Sequence, residues 1–339
     1  MNKTTLIEAT RNGLTERIHT GNVAVVDAAG RIRYYAGNPH GVTFMRSAAK
    51  PLQALSVVET GTAENFDFTD RELAVACASH AGQPEHLEAV RGILEKAGLD
   101  EDLLECGSHP PGHRPSRESL YREGNEPTNV HSNCSGKHAA KLAVCRHMDW
   151  EIEGYREVEH PLQQMLLESI DCISGVPKDD IALGVDGCGV VVHGFSVANM
   201  ALAYARLATG DGLPPAKSEA ADTVTRAMGA HPLMISGEGR VTTVLNDLPG
   251  GRFVAKGGAA GVYCMAAKQP GWGIAVKIAD GTGKAASLAT LEAARQMGWF
   301  DEQDCELLQE FLCPDIKNVP GDVVGELKPV FELKKTQLD

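Results

Sequence analysis

Arg46-Ser47-Ala48-Ala49-Lys50-Pro51 is the stretch on which the reading of this chain turns. Ser47 stands three residues before Lys50, and an apolar helical pattern of Leu52, Leu55 and Val58 follows. On a helix, a spacing of three puts both side chains on one face. Serine is a poor nucleophile until a base accepts its proton, and a lysine withdrawn from water loses its charge readily enough to act as that base. Pro51 suits a first helical turn and not an interior, so the helix is expected to begin close to Ser47 and to end near Gly61. Such a start places helix N-terminal amides near an alkoxide forming on the serine. Taken alone, S-x-x-K also describes an ordinary helix start.

Composition bounds what this chemistry can serve. The chain has 339 residues, 43% of them hydrophobic and 23% charged, which suits a folded protein of one large domain or two closely packed ones. A formal charge of −13 and the absence of a dense Lys/Arg run argue against a nucleic-acid surface. The opening stretch to Gly21 is charged throughout, without the apolar core of a signal peptide, and no run reaches transmembrane length. Nine cysteines, odd in number and without framework spacing, read as reduced thiols in a cytoplasm.

Asn22 to Tyr35 predicts a β-hairpin: Val23 and Val25 alternate with their neighbours, Asp27 to Gly30 carries turn chemistry, and Ile32 and Tyr34 resume the alternation. Thr69-x-x-Glu72 is a capping box for a short apolar helix to Cys77, which delivers Ser79-His80-Ala81-Gly82. Pro84 opens an amphipathic helix through Leu94. Residues 106–129, punctuated by Pro110, Pro111, Gly112, Pro115, Gly124 and Pro127, predict a long irregular loop. It leads into His131-Ser132-Asn133-Cys134-Ser135-Gly136-Lys137-His138 and a helix to Arg146. Ile181 to Val185 reads as a buried strand ending in Asp186-Gly187-Cys188-Gly189, followed by helices near 198–207 and 219–228. Phe253 onward returns to sheet through Lys256-Gly257-Gly258, with further strands at 262–266 and 273–279 and a helix at 285–297. The Lys-rich tail is expected to fray. A sheet drawn from both chain ends and helices from the middle imply one interleaved unit over residues 1–339.

Several of these motifs carry reactive groups. Ser79-His80 offers a second hydroxyl with a polar neighbour, or simply a serine ending a helix. Lys256 at a strand end either projects its amine over a cleft or is solvated in a turn, and the glycines after it permit close approach of a ligand. Cys134 and Cys188 are open to three readings: thiolate ligands completed by Lys137 or His138, a Cys/His nucleophile pair, or inert buried thiols. The other cysteines, Cys77, Cys106, Cys145, Cys172, Cys264, Cys305 and Cys313, read as packing residues. Gly281-Thr282-Gly283-Lys284 lacks Walker spacing, which removes nucleotide binding.

In order, R-S-A-A-K-P, A-S-H-A-G, N-C-S-G-K-H, D-G-C-G and A-K-G-G-A-x-G resemble the thermolabile, rhizobial-type (class 3) L-asparaginase II family, from the hairpin to Gly283. The resemblance implies an α/β (α+β) fold like that of the serine β-lactamases, penicillin-binding proteins and glutaminases, an antiparallel sheet with a helical region. It implies hydrolysis of L-asparagine to L-aspartate and ammonia through a serine-bound acyl intermediate. Ser47 becomes the nucleophile and Lys50 its base, with Ser79 and Lys256 as a second Ser–Lys pair. Asp186, His80 and Arg46 become substrate-binding residues, the Asp186 carboxylate suiting the amino group of asparagine. Cys134, Lys137 and Cys188 match the positions that bind zinc, an ion expected to orient substrate without being essential to the chemical step. The family tendency also implies a homodimer. Only Lys256-Gly257-Gly258 stands where β-lactamases carry K-T-G, and no S-D-N is evident, so a β-lactam target is not expected. A glutaminase or other serine amidohydrolase on the same scaffold, and a non-catalytic amino-acid-binding protein, are the rival classes.

Overall fold

The strand Leu14–Asp27 is the spine of the sheet. Its first residues are exposed, whereas every residue from Gly21 to Asp27 is buried. Alternate strand residues face opposite sides, so a fully buried run requires cover on both faces. The helices Val197–Thr209 and Gly283–Gln296 pack on the sheet and supply that cover. The nine-stranded sheet runs in the order Asp315–Lys317, Val323–Pro329, Thr4–Arg11, Leu14–Asp27, Trp272–Ile278, Val262–Ala267, Phe253–Gly258. Ile32–Ala36 pairs with Leu14–Asp27 and also with Lys334–Lys335. Every ladder recorded in this sheet is antiparallel.

In this computed structural model the described residues are 4–336, and the chain divides into two compact units. The first holds the sheet and is drawn from the chain up to Ala48, from Gly194–Gly212, and from Arg252 onward. The second, Ala49–His193 with Leu213–Gly251, is mostly helical. At its centre lies the helix Ser135–His147, whose residues from Ser135 to Cys145 are all buried. The helices Lys50–Glu59, Asp70–Ala76, Pro84–Lys96 and Pro161–Ser174 pack against it. Among the described residues no helix is long and apolar enough to cross a membrane.

The antiparallel sheet with a helical region agrees with the expected fold class, and so does the hairpin, in which Val23 faces Ala36 and Val25 faces Tyr34. The Thr69/Glu72 capping box forms in both directions. The opening stretch forms a strand pair, its charged residues occupying the exposed parts of Thr4–Arg11 and Leu14–Asp27. Four expectations need correction. The loop at 106–129 contains a helix, Arg114–Arg122, whose Pro115 sits in the first turn, where its missing N–H costs nothing. The strand Ala182–Val185 is largely exposed, with Val185 at 80%. Its apolar residues resemble a core strand in sequence, but it belongs to a small hairpin and not to the main sheet. Finally, the tail is tied down by Lys334 and Lys335 against Tyr35 and Tyr34, while the part of it at 337–339 lies outside the described residues. Cys313 is exposed and so is not a packing residue.

Gly273 shows how closely helix and sheet approach: a Cβ there would stand 2.0 Å from the Ala201 carbonyl oxygen and 2.8 Å from the Ala205 nitrogen. Both are backbone atoms, which cannot swing aside. Gly273→Ala should therefore destabilise the protein by about 1–3 kcal/mol, as overpacking does. Thr69→Ala, which removes one capping bond, should cost about 1 kcal/mol. Urea denaturation of both variants checks the order; Gly273→Ala as the milder change would mean the helix yields freely.

Candidate active site

Lys50 is the first residue of the helix Lys50–Glu59 and is 2% exposed. Its Nζ lies 2.6 Å from the Ala78 carbonyl oxygen, 3.0 Å from Ser79 Oγ and 3.4 Å from the Asn133 carbonyl oxygen. Ser79 follows the helix Asp70–Ala76 and is held in place by its own N–H, which donates to the Ile235 carbonyl. Burial pushes the Lys50 pKa down, because a charge withdrawn from water is costly; the Cys134 charge opposes that fall and the Lys137 charge adds to it. An amine so placed can exchange a proton with a serine hydroxyl.

Cys134 caps the helix Ser135–His147, and Lys137 stands in its first turn. Cys188 arrives from the turn after Ala182–Val185, where Asp186 N–H donates to the Val190 carbonyl and Gly189 N–H to the Asp186 carbonyl. Gly189 takes φ +85°, a left-handed conformation that glycine adopts without strain. The D-G-C-G spacing therefore encodes a tight turn that presents one thiol. Lys137 Nζ donates to Cys188 Sγ at 3.0 Å, and the Cys134 and Cys188 thiols are hydrogen-bonded to each other.

The two thiols titrate as a coupled pair. The bond from Cys188 holds the Cys134 pKa well below the ordinary thiol value against the effect of burial, helped by the charges of Lys50 and Lys137. The same bond, together with burial, pushes Cys188 up. Cys134 Sγ also donates to Asn133 Oδ1 at 3.2 Å, so the two sulfurs titrate as one pair in which Cys134 is the more acidic member and Cys188 the less acidic. Burial works against the Lys137 ammonium, but its interactions with Cys134 and with Cys188, whose sulfur accepts its hydrogen bond, outweigh burial and raise the Lys137 pKa. Asp186, whose carboxylate accepts from Gly187 N–H at 2.8 Å, adds to that rise. Gly136 lets this helix start sit where it does: a Cβ there would be 2.2 Å from the Val75 carbonyl oxygen.

His80 has both ring nitrogens engaged inside the protein. Gly82 N–H donates to Nδ1 at 3.2 Å, so Nε2 carries the proton and donates to Ser135 Oγ at 2.8 Å, which donates in turn to the Val130 carbonyl. The ring stacks on His86 at 5.2 Å, and burial holds its pKa well below the ordinary imidazole value. Through this bond to Ser135, His80 braces the helix start that carries Cys134 and Lys137. His138 is committed elsewhere too, with Nδ1 2.7 Å from the Tyr155 hydroxyl.

The remaining expected residues belong to the first unit by chain position. Arg46 and Ser47 lie in the 3-10 turn Arg46–Ala49 that runs directly into the Lys50 helix, and Arg46 takes φ +54°, a strained value for a residue with a side chain. Lys256 sits in the edge strand Phe253–Gly258, 2% exposed, with Nζ donating to the Gly257 carbonyl at 2.8 Å. The second unit thus brings together Lys50, Ser79, Cys134, Lys137, Cys188 and Asp186. Sequence reading passed over Ser135, His86 and Lys141, which look like helix filler. The one signal was polar residues recurring in an otherwise apolar helix.

No curated protein sequence matches the chain. Among solved structures it is similar to a β-lactamase from Mycobacterium bovis, at 16% identity over 86% of this chain and 95% of that one, with a TM-score of 0.41. It is similar also to Mglu in its native form, at 17% identity and a TM-score of 0.46, covering 84% of this chain and 66% of that longer one. A Bacillus glutaminase matches at 13% identity over 82% of this chain and 91% of its own, with a TM-score of 0.37. The family model for L-asparaginase II matches residues 7–329, nearly the entire chain and every motif described above, and the protein belongs to the L-asparaginase II family.

Proposed function

We propose that this amidohydrolase acts on L-asparagine, releasing L-aspartate and ammonia through an acyl-serine intermediate, as a member of the thermolabile, rhizobial-type branch of its family. The observation that carries the reading is the buried Lys50 amine 3.0 Å from Ser79 Oγ, with its pKa depressed by burial. A water-excluded amine beside a hydroxyl is what a serine amidohydrolase needs of its base.

In this reading Ser47, one turn before Lys50 along the chain, attacks the side-chain amide carbonyl while neutral Lys50 takes its proton. Backbone amides stabilise the oxyanion. Ser79 and Lys256 relay a proton to the leaving ammonia, and water then hydrolyses the β-aspartyl ester. Asp186, His80 and Arg46 bind the amino-acid end of the substrate. The Lys50–Ser79 contact also supports a second reading, in which Ser79 is the nucleophile. Ser47→Ala should lose roughly 10⁴-fold or more in turnover while staying folded, and Ser79→Ala should be severely impaired. Assays of ammonia release from asparagine and glutamine, with acid-quench mass spectrometry of the acyl peptide, decide both points. An adduct on the Ser79 peptide, or near-native turnover in Ser47→Ala, selects the second reading. Preference for glutamine would make the protein a glutaminase, and an absence of turnover with intact binding would make it a binding protein.

The family resemblance implies zinc, and the donor set fits it. Among the described residues no three or more His, Cys, Asp or Glu side chains gather as a metal cluster, so a site here depends on a lysine. Cys134, Cys188 and the Lys137 amine 3.0 Å from Cys188 make an S₂N set, two thiols of the kind zinc takes and an unusual third donor, because a lysine must be neutral to coordinate. Cys134, Cys188 and Lys137 would hold the ion, with Cys188 and Lys137 giving up protons as they bind. Bound zinc supplies a fixed positive charge that orients the substrate. Elemental analysis should find about one zinc per chain, falling sharply in Cys134→Ser and Cys188→Ser. Full zinc content in both variants would place the metal elsewhere.

The protein is proposed to act in the cytoplasm as a homodimer. Light scattering should report a mass near twice the single-chain 36.1 kDa, and the single-chain value at micromolar concentration would count against the dimer.

A further inference from the structure

One turn behind the site, two buried polar side chains face one small cavity. Gln53 follows Lys50 by three residues on the helix Lys50–Glu59, and Lys141 follows Lys137 by four on the helix Ser135–His147. The two helices pack against each other. Gln53 is 6% exposed and Lys141 is 3% exposed. Gln53 Oε1 and Lys141 Nζ are both buried without a hydrogen-bond partner among the described residues. Both residues line a cavity of about 10 Å³, together with Ser56, Val57, Ala76 and Lys137. That volume has room for one water molecule.

A buried amine and a buried amide oxygen left unpaired forfeit the hydrogen bonds they had in water, so native proteins rarely leave them so. The lining offers what a single water requires: a donor at Lys141 Nζ, an acceptor at Gln53 Oε1, and the Ser56 hydroxyl oxygen, whose own proton goes to the Gln53 carbonyl at 2.8 Å. Three bonds is the usual number for an internal water. The groups one turn earlier on the same helices are Lys50, with its contact to Ser79, and Lys137, with its bond to Cys188.

We propose that Gln53 and Lys141 enclose one structural water that ties the two helices together, and that both are positioning residues fixing Lys50 and Lys137 at the active site. The water accepts from Lys141 Nζ and donates to Gln53 Oε1 and Ser56 Oγ. Three directional bonds thereby add to apolar packing in fixing the spacing and register of the two helices. The functional half of this proposal rests on the amidohydrolase reading above; the water itself does not.

Two experiments test it. A high-resolution crystal structure should show one ordered water within hydrogen-bonding distance of Lys141 Nζ and Gln53 Oε1. A dry cavity, or direct contact between the two side chains, overturns the proposal whatever the enzyme does. In kinetics, Lys141→Met and Gln53→Leu should each lower kcat about tenfold or more while KM moves by less than about threefold. The double variant should be no slower than the slower single one, because the two act through one water. Its melting temperature should recover while its kcat stays low, and Gln53→Glu, which keeps an acceptor, should regain most of the turnover that Gln53→Leu loses. Additive losses, a kcat that recovers with the melting temperature, or single variants with native kcat overturn the positioning role. Should Lys141→Met fail to fold, Lys141→Leu, which also removes the donor, takes its place in the same comparison, and Gln53→Leu with its Gln53→Glu rescue carries the kinetic test if neither folds. If the wild type releases ammonia from neither asparagine nor glutamine, the amidohydrolase reading fails by itself, and the crystal structure still decides the water.

Discussion

An acidified thiol and a lysine amine buried together at the start of one helix are the constraint around which the second unit is organised. Either charge alone in a dry interior costs several kcal/mol. Cys134 and Lys137 tolerate burial because each supplies the other's counter-charge and Cys188 hydrogen-bonds to both. The arrangement holds only while the helix start, the Asp186–Gly189 turn and the N-terminus of the Lys50 helix stay in register. Losing one partner leaves the other as an unpaired buried charge.

Much of the surrounding polar structure serves that register. His80 donates to Ser135 beside Cys134, and His86 supports it from behind by stacking and by its own bonds to Gln83 N–H and the Leu233 carbonyl. Gly136 removes a side chain at the one place where the helix meets the Val75 carbonyl. The N-C-S-G-K run is thus a packing solution as well as a set of reactive groups: the serine takes a bracing bond, the glycine allows contact, and the cysteine and lysine face inward. The same economy explains why Lys50 is buried at a helix N-terminus. Its Nζ reaches two backbone carbonyls of other segments, Ala78 and Asn133, which carry Ser79 and Cys134 as their chain neighbours.

How far the fold could be read ahead depended on how local its causes were. The hairpin, the Thr69/Glu72 box and the Pro84 helix follow from alternation, capping and proline chemistry within a few residues, and they formed where those rules put them. The strand pair at the start of the chain was hidden because half of it is exposed on both faces, so it lacks the apolar signal that marks a strand. The Arg114–Arg122 helix was hidden for a related reason: it buries no side chain fully, and its prolines read as breakers when one of them is a starter. Ala182–Val185 failed in the opposite sense, since its apolar residues sit on an exposed hairpin.

The sequence by itself determined which reactive groups the chain carries and in what order. Its motifs, taken together, pointed to the family later matched over residues 7–329. Tertiary structure alone decided who meets whom. Spacing offered Lys50 to Ser47, and the fold brought its amine to Ser79 and Cys134 as well, over separations of 29 and 84 residues along the chain. It placed the Lys137 amine beside Cys188 and turned His138 Nδ1 to the Tyr155 hydroxyl. It also turned Lys141 and Gln53 from apparent helix filler into facing polar groups. The physical reason is that protonation and pairing are set by burial and by charges arriving from distant segments, and neither is a local property of the chain.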